Sequence, residues 1–296
     1  PKFMQDGQVD IRSGDAIANL PYHPNCALWF DHHITNAPDW EKHIGVSSSG
    51  SPKRETPTIV PGKGGFRIAP SAARVVYEYY TEGVRRAARG ERKIEESLKI
   101  LESERVRLLM EDTDKIDAGQ LTPEDVLHPA GYVLISMTLD PKDAGDESYW
   151  IRLIALLRDQ PLEEVLRDPE VKRRCGKILD DQERLKKILL ERTTLLGNVI
   201  FLDLRGVEDF PDANRFLLYT LFPTGNISVK IAPDSQRPNT TAISVGYNIF
   251  NPTSKVNVGE LLKNYGGGGN RVVGSSRVPD EKAEQSLKEI LAAVRE

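Results

Sequence analysis

From residue 198 onward the chain alternates strand-like and helix-like segments, and no other feature constrains its fold as tightly. NVIFLDL, ISVKIAP and TAISVGYNIF are rich in β-branched and aromatic residues, as strands are. Helical patterns fall around 211–221, 258–265 and 280–295. In the last of these, Leu287, Ile290, Leu291 and Val294 recur at helical spacing and mark one apolar face. Such alternation specifies an α/β domain. Residues 148–197 before it are helical in pattern almost throughout, ending in ERLKKILLERTTLLGN, which predicts a helix leading into that domain.

A chain of 296 residues is long enough for two cores. The expected division is a first domain over 1–180, a helical linker over 181–197 and a smaller α/β domain over 198–296. In the first domain, AIANL and CALWF read as strands separated by the turn PYHPN, and the second strand ends at Asp31. Residues 45–69, rich in Gly, Ser and Pro, read as a long surface loop made basic by Lys53, Arg54, Lys63 and Arg67. Pro70 and Ser71 open a helix through VVYEYY, and Ile94, Leu98, Leu101 and Leu109 mark a further helical pattern. GYVLISMTLDP fits either strand or helix.

Several function classes are excluded by composition. A net charge of -4 is wrong for a general nucleic-acid coating surface, although a local basic groove is compatible with it. Only 7% of residues are aromatic, too few for a stacking groove along a long single strand. Cys26 and Cys175 lie far apart without C-x-x-C spacing, which removes a disulfide framework and a thiolate zinc site and leaves oxygen and imidazole as ligands. No apolar run approaches the ~20 residues that span a bilayer. The opening PKFMQDG has no signal-peptide pattern. A cytoplasmic protein without a membrane partner is expected.

Three motifs carry chemistry. LWFDHHITN places Asp31, His32 and His33 at the end of a strand, the sheet edge where α/β folds bind ligands. MEDTDKIDAGQL sets Asp114 and Asp117 three residues apart on a helical end. Two carboxylates with imidazole suit Mn²⁺ or Mg²⁺. Asp114, central in the cluster, is the favoured ligand, and Asp112 and Asp117 read equally well as a solvated face. NYGGGGNRVVGSSRV then follows a helix. Gly266 can end that helix, while Gly267, Gly268 and Gly269 would present backbone N–H groups to a phosphate with Arg271 as counter-charge. Arg237 and Arg277 are further candidate phosphate contacts.

FDHH, PSAARVVYEYY, DTDKID and YGGGGNR in this order resemble the DHH phosphoesterase superfamily, in its DHH/DHHA1 branch of exopolyphosphatase-related proteins and nano-RNases. The resemblance spans nearly the whole chain. It implies a two-domain α/β enzyme: an N-terminal lobe with a parallel sheet flanked by helices, a smaller C-terminal α/β lobe, a cleft between them and a two-metal Mn²⁺ or Mg²⁺ site. It further implies His32 as a metal ligand, His33 as the group contacting the scissile phosphate, Asp31 as a ligand or its orienter, and Asp114 as the later acidic ligand. Gly266 to Gly269, Asn270 and Arg271 would grip the substrate. The implied substrate is a short oligonucleotide, a small nucleotide or polyphosphate, and a homodimer is compatible with the family.

Against the family pattern, no D-x-D turn stands before residue 31. The Asp expected before DHH falls at Asn19, with Asp15 the nearest carboxylate, and Asn270 stands where the family commonly has His. These departures make a non-catalytic nucleotide- or polyphosphate-binding module the alternative reading.

Overall fold

The computed structural model describes residues 9–45, 58–87, 92–139, 146–211 and 213–295. The basic residues Lys53 and Arg54 therefore lie outside the described residues. The fold is α/β and divides into two compact units, Pro1–Leu121 with Asp159–Leu162, and Thr122–Arg158 with Glu163–Glu296.

In the first unit, β1 (Ala16–Ala18) and β2 (Leu28–Asp31) are followed by a 3-10 turn (Ile34–Asn36) and α1 (Ala37–Ile44). Next come β3 (Ile59–Val60), β4 (Gly64–Phe66), α2 (Ala72–Ala87), α3 (Arg92–Leu101) and α4 (Glu104–Asp117). The described strands pair in the order β1-β2-β4-β3. β1, β2 and β4 run parallel, as expected of this sheet, and β3 adds an antiparallel edge strand. Because β1 and β2 are parallel, residues 19–27 form a short crossover and not a hairpin turn.

The unbroken apolar run LWF reflects burial of β2 on both faces, as in parallel sheets generally. Trp29 packs with Trp40 of α1 and with Phe66, while Phe30 meets Tyr79 of α2 edge-on at 5.1 Å. Two further observations set the helices. Ser71 Oγ accepts from the Arg74 amide and so caps α2. The helical pattern after residue 92 breaks at Ser103, whose hydroxyl caps α4 by accepting from Val106 N.

The second unit opens with α5 (Pro123–Leu127) and α6 (Gly131–Ser136), so the GYVLIS segment is helical. α7 (Glu147–Asp159), α8 (Leu162–Arg167) and α9 (Pro169–Arg192) follow. Asp168 starts α9 by accepting from the Glu170 and Val171 amides at 3.1 and 3.3 Å, with Pro169 at the first helical position. The helical pattern expected through residue 197 ends at Arg192. Thr193–Leu196 is instead strand β5, because the two β-branched threonines favour extended backbone and Gly197, at φ 66°, turns the chain back onto β6 (Val199–Asp203).

Next come α10 (Leu217–Leu221), β7 (Ile227–Pro233), β8 (Thr240–Tyr247), α11 (Val258–Lys263), β9 (Gly268–Gly269), β10 (Val273–Pro279) and α12 (Asp280–Val294). The described strands order as β5-β6-β7-β8-β10-β9. On one face Val199, Val229, Ile231, Ile243 and Val245 bury against Val258 and Leu262 of α11 and against Leu287, Ile290 and Val294 of α12. The other face carries Ser228, Lys230 and Ser244.

Candidate active site

Asp31 ends β2 and is 0% exposed. A buried carboxylate must be satisfied, and this one is. Its Oδ1 accepts from the backbone amides of His32 and His33 at 2.7 and 3.2 Å and from His33 Nδ1 at 2.7 Å, while Oδ2 accepts from the Asn36 side-chain amide. Four donors leave Asp31 little capacity for a cation. That geometry suits the orienting role, one of the two expected of it.

The histidines are held in defined tautomers. His32 Nδ1 lies 2.9 Å from the Ala69 carbonyl, which can only accept, so Nδ1 carries the proton and Nε2 keeps its lone pair. His33 Nδ1–H donates to the Asp31 carboxylate, again leaving Nε2 available. Both Nε2 atoms can thus serve as metal ligand or proton acceptor. The rings sit 4.4 Å apart, edge to face, with His33 51% exposed and His32 only 13%.

The acidic cluster divides in two. Asp114 accepts from Ser71 Oγ at 2.6 Å through Oδ1 and from Arg74 Nε at 2.8 Å through Oδ2, with a second Arg74 nitrogen at 2.6 Å. It is committed to an ion pair that ties α4 to the start of α2. Asp117, not Asp114, faces the histidines: its Oδ2 lies 3.6 Å from His32 Nε2. The expectation favoured Asp114, whereas Asp117 is the carboxylate of this cluster that lies beside His32. The two carboxylates lie ~60° apart around the helix, and the docking of α4 turns the later one toward β2.

Upstream, Asn19 follows β1 in the left-handed region at φ 59°, and its amide donates to the Phe30 carbonyl at 3.0 Å. It stands exposed at the strand end shared with Asp31. Asp15 does not reach this edge. It precedes β1 at the opposite end, where its carboxylate accepts from the Arg12 amide and guanidinium, which hold its carboxyl below the usual range.

A divalent cation fits part of this set. The 3.6 Å between His32 Nε2 and Asp117 Oδ2 suits two donors of one coordination sphere, with the Asn19 carbonyl oxygen at the same edge. Asp31, His32 and His33 also cluster with donor atoms within 4.8 Å of one another. Two cations ~3.5–4 Å apart need several shared carboxylates. Among the described residues Asp117 faces His32 and Asp31 lies beside His33.

In the second unit the glycines differ in role. Gly266, at φ 69°, ends α11. Gly267 N–H donates to the Leu262 carbonyl at 3.0 Å and is not free for a phosphate, which corrects the expectation for that residue. A Cβ on Gly267 would come within 2.4 Å of the Ser275 carbonyl, and one on Gly269 within 2.2 Å of the Val273 carbonyl. Close packing against β10 therefore demands these two glycines, whereas a Cβ on Gly268 would meet nothing within 4 Å.

The Asn270 side chain accepts from the Val272 and Val273 amides at 2.9 and 3.0 Å, shaping the turn that presents the exposed Arg271. Arg237 lies in the 234–239 turn, at the far end of β8 from this segment: Thr240 pairs with Pro279, while Val245 pairs with Gly274, which itself pairs with Gly269. It cannot join the glycines. Arg277 is paired with Asp234 at 2.5 Å.

Sequence reasoning passed over Asn36 and Arg74, read Ser71 only as a helix start, and gave no preference to Asp117. The spacing of Ser71 and Arg74 at a helix start was a cue to a cap, but their union with Asp114 was not readable along the chain.

No helix among the described residues is long and apolar enough to cross a membrane. No family model matches the chain, and no curated protein matches it either. Among solved structures, the pGpG-specific phosphodiesterase PggH from Vibrio cholerae is similar with a TM-score of 0.77 and 29% identity, over 99% of this chain and 88% of that one. An exopolyphosphatase-related protein from Bacteroides fragilis matches with a TM-score of 0.38 and 14% identity, over 90% of this chain and 63% of that one.

Proposed function

The chain belongs to the DHH/DHHA1 phosphoesterase superfamily, and from that membership we propose that it is a divalent-metal-dependent phosphodiesterase acting on short nucleotides. A linear dinucleotide of the pGpG type, for which the similar Vibrio cholerae enzyme is specific, is the first substrate to test. The observation that carries the reading is the paired tautomer arrangement: Ala69 and Asp31 hold the two Nδ1–H groups and leave two Nε2 lone pairs at the end of β2.

His32 and Asp117, with the Asn19 side-chain oxygen, would hold a Mn²⁺ or Mg²⁺ ion. Once bound, such an ion lowers the pKa of a coordinated water and offsets charge on phosphoryl oxygens. The chain's own residues do the remainder. Asp31 is a positioning residue, which fixes His33 by its Nδ1–H and stabilises the imidazolium when Nε2 takes a proton. His33, the more exposed of the pair, would contact the scissile phosphate and hold or return a proton at Nε2. Gly268 and Arg271 are the accessible members of the proposed substrate grip, in a segment that Gly266 and Gly269 turn and the Asn270 side chain shapes.

The test is hydrolysis of pGpG and of bis-p-nitrophenyl phosphate with Mn²⁺ or Mg²⁺ by wild type and His33→Ala. Turnover by wild type, reduced at least ~100-fold in the variant, is expected. A second reading, a non-catalytic nucleotide-binding module, draws on Asn19 standing in place of a carboxylate and on Asp114 being committed to Arg74. Tight nucleotide binding without turnover under any divalent metal selects it.

A further inference from the structure

Asn36 occupies a position that calls for one hydrogen bond and makes another. It is the N-cap of α1, where asparagine is among the strongest residues because its side-chain oxygen accepts from an amide of the first turn. Asn257 does this at the start of α11, accepting from Glu260 N at 3.3 Å. Asn36 makes no such bond. Pro38, the second residue of α1, has no N–H, so the amide this cap would have satisfied is that of Asp39. A forgone cap costs helix stability, and the contact made in its place therefore matters.

That contact is with the carboxylate that orients His33. The Asn36 backbone amide donates to the His33 carbonyl at 2.9 Å, which closes the 3-10 turn and returns residue 36 to the side of Asp31. Its side-chain Nδ2 then donates to Asp31 Oδ2. A carboxylate only accepts, so the nitrogen of the Asn36 amide faces Asp31, and its oxygen accepts from Thr35 Oγ1 at 3.4 Å. Asp31 Oδ1 takes the His32 and His33 amides and the His33 Nδ1–H, whereas Oδ2 has Asn36 as its donor among the described residues. The Cβ–Cγ torsion of an aspartate is broad, so donors crowded on one oxygen leave the carboxylate plane free to swing. A donor on the other oxygen fixes the plane. Asp31 is 0% exposed, and bulk water does not stand in for a donor that is lost.

We propose that Asn36 is a positioning residue: by pinning Oδ2 it fixes the Asp31 plane and, through Oδ1, the His33 ring whose Nε2 meets the phosphate. The inference rests on the phosphodiesterase reading for what His33 does, and not for how His33 is held.

Two substitutions separate this role from that of starting α1. Asn36→Ala removes the donor to Asp31 and any capacity to cap. Asn36→Ser also removes the donor, because its hydroxyl sits one bond short of the amide nitrogen, but it supplies an N-cap oxygen to Asp39. With ¹⁵N-labelled histidine, and His33→Ala for assignment, the His33 Nδ1–H signal should be present in metal-free wild type and lost or broadened in both variants. In hydrolysis of pGpG with Mn²⁺, both variants should lower kcat ~10–100-fold and leave KM within ~3-fold of wild type. Asn36→Ser should melt above Asn36→Ala, which shows that the cap is restored while activity is not. In a His33→Ala background, Asn36→Ala should lower kcat by no more than ~2-fold further, because the two residues act as one unit. Wild-type kcat in Asn36→Ser overturns the proposal, since a helix cap then suffices. So does an unchanged His33 Nδ1–H signal in Asn36→Ala, or a full additive loss in the double variant. If wild type hydrolyses nothing, the phosphodiesterase reading fails by itself, and the His33 signals of wild type and Asn36→Ala decide the positioning role.

Discussion

Asp31 Oδ1 accepts from His33 Nδ1 at 2.7 Å, and this one contact joins a fully buried carboxylate to a half-exposed imidazole. The same oxygen accepts the amides of His32 and His33, so the carboxylate shapes the backbone and the reacting ring together. Replacing Asp31 by Asn turns one acceptor atom into a donor facing these N–H groups. A loss of about 2–4 kcal/mol is expected, read as a fall in Tm, together with loss of activity. A variant as stable as wild type contradicts the geometry described.

Asp114 and Asp117 should separate cleanly by mutation. Asp117→Ala removes a partly exposed carboxylate 3.6 Å from His32 and should lower Mn²⁺ affinity at least ~10-fold while leaving Tm nearly unchanged. Asp114→Ala strands Arg74 and Ser71 and should cost about 1–3 kcal/mol of stability. Calorimetry with Mn²⁺ and thermal melts of both variants check this, and an inverted pattern would return the ligand role to Asp114.

Asn19 offers a gain-of-function test. Aspartate tolerates the left-handed conformation at φ 59° about as well as asparagine, so Asn19→Asp adds a charge without a new backbone cost. Mn²⁺ affinity should rise by about 10-fold or more. If the affinity is unchanged, Asn19 does not border the cation.

The glycine segment should tolerate a methyl group at one position and reject it at its neighbours. Gly268→Ala meets open space, whereas Gly267→Ala and Gly269→Ala place Cβ within 2.4 Å of β10 carbonyls. Losses of about 2 kcal/mol or more are expected for the latter two and under about 1 kcal/mol for Gly268→Ala, measured by urea unfolding.

Acid stability should depend on Asp168. The Arg152 guanidinium and the Val171 and Glu170 amides hold its carboxyl below the ordinary value of 3.8. A carboxyl depressed in the folded state stabilises the fold above its unfolded pKa, and that contribution fades as pH falls through the folded value. The Tm of wild type should therefore fall more between pH 5 and pH 3 than that of Asp168→Asn. Parallel curves would show that the pair is energetically silent.

Much of the fold was legible along the chain because periodicity is local. β2 ends at Asp31 as LWFD indicated, NVIFLDL, ISVKIAP and TAISVGY are strands, and helices form within 211–221, 258–265 and 280–295 as their patterns indicated. Where neighbours along the chain gave weak or competing signals, partners decided. TTLL continues a helical pattern in sequence, but its β-branched start and Gly197 fold it onto β6. The hydroxyl of Ser103 splits what reads as one helical pattern.

The candidate site divides in the same way. By itself the sequence determined which chemical groups are available: two adjacent histidines after a strand, two carboxylates three residues apart and a run of glycines after a helix. Tertiary structure alone decided which of them are free. Helix docking turns Asp117 toward His32 and gives Asp114 to Arg74, the Ala69 carbonyl sets the His32 tautomer from 37 residues away, and β10 claims the space beside Gly267 and Gly269. Residue type and spacing define a set of possible donors, but an ion pair or a hydrogen bond uses up lone pairs, and its partner is chosen by packing between elements distant in sequence.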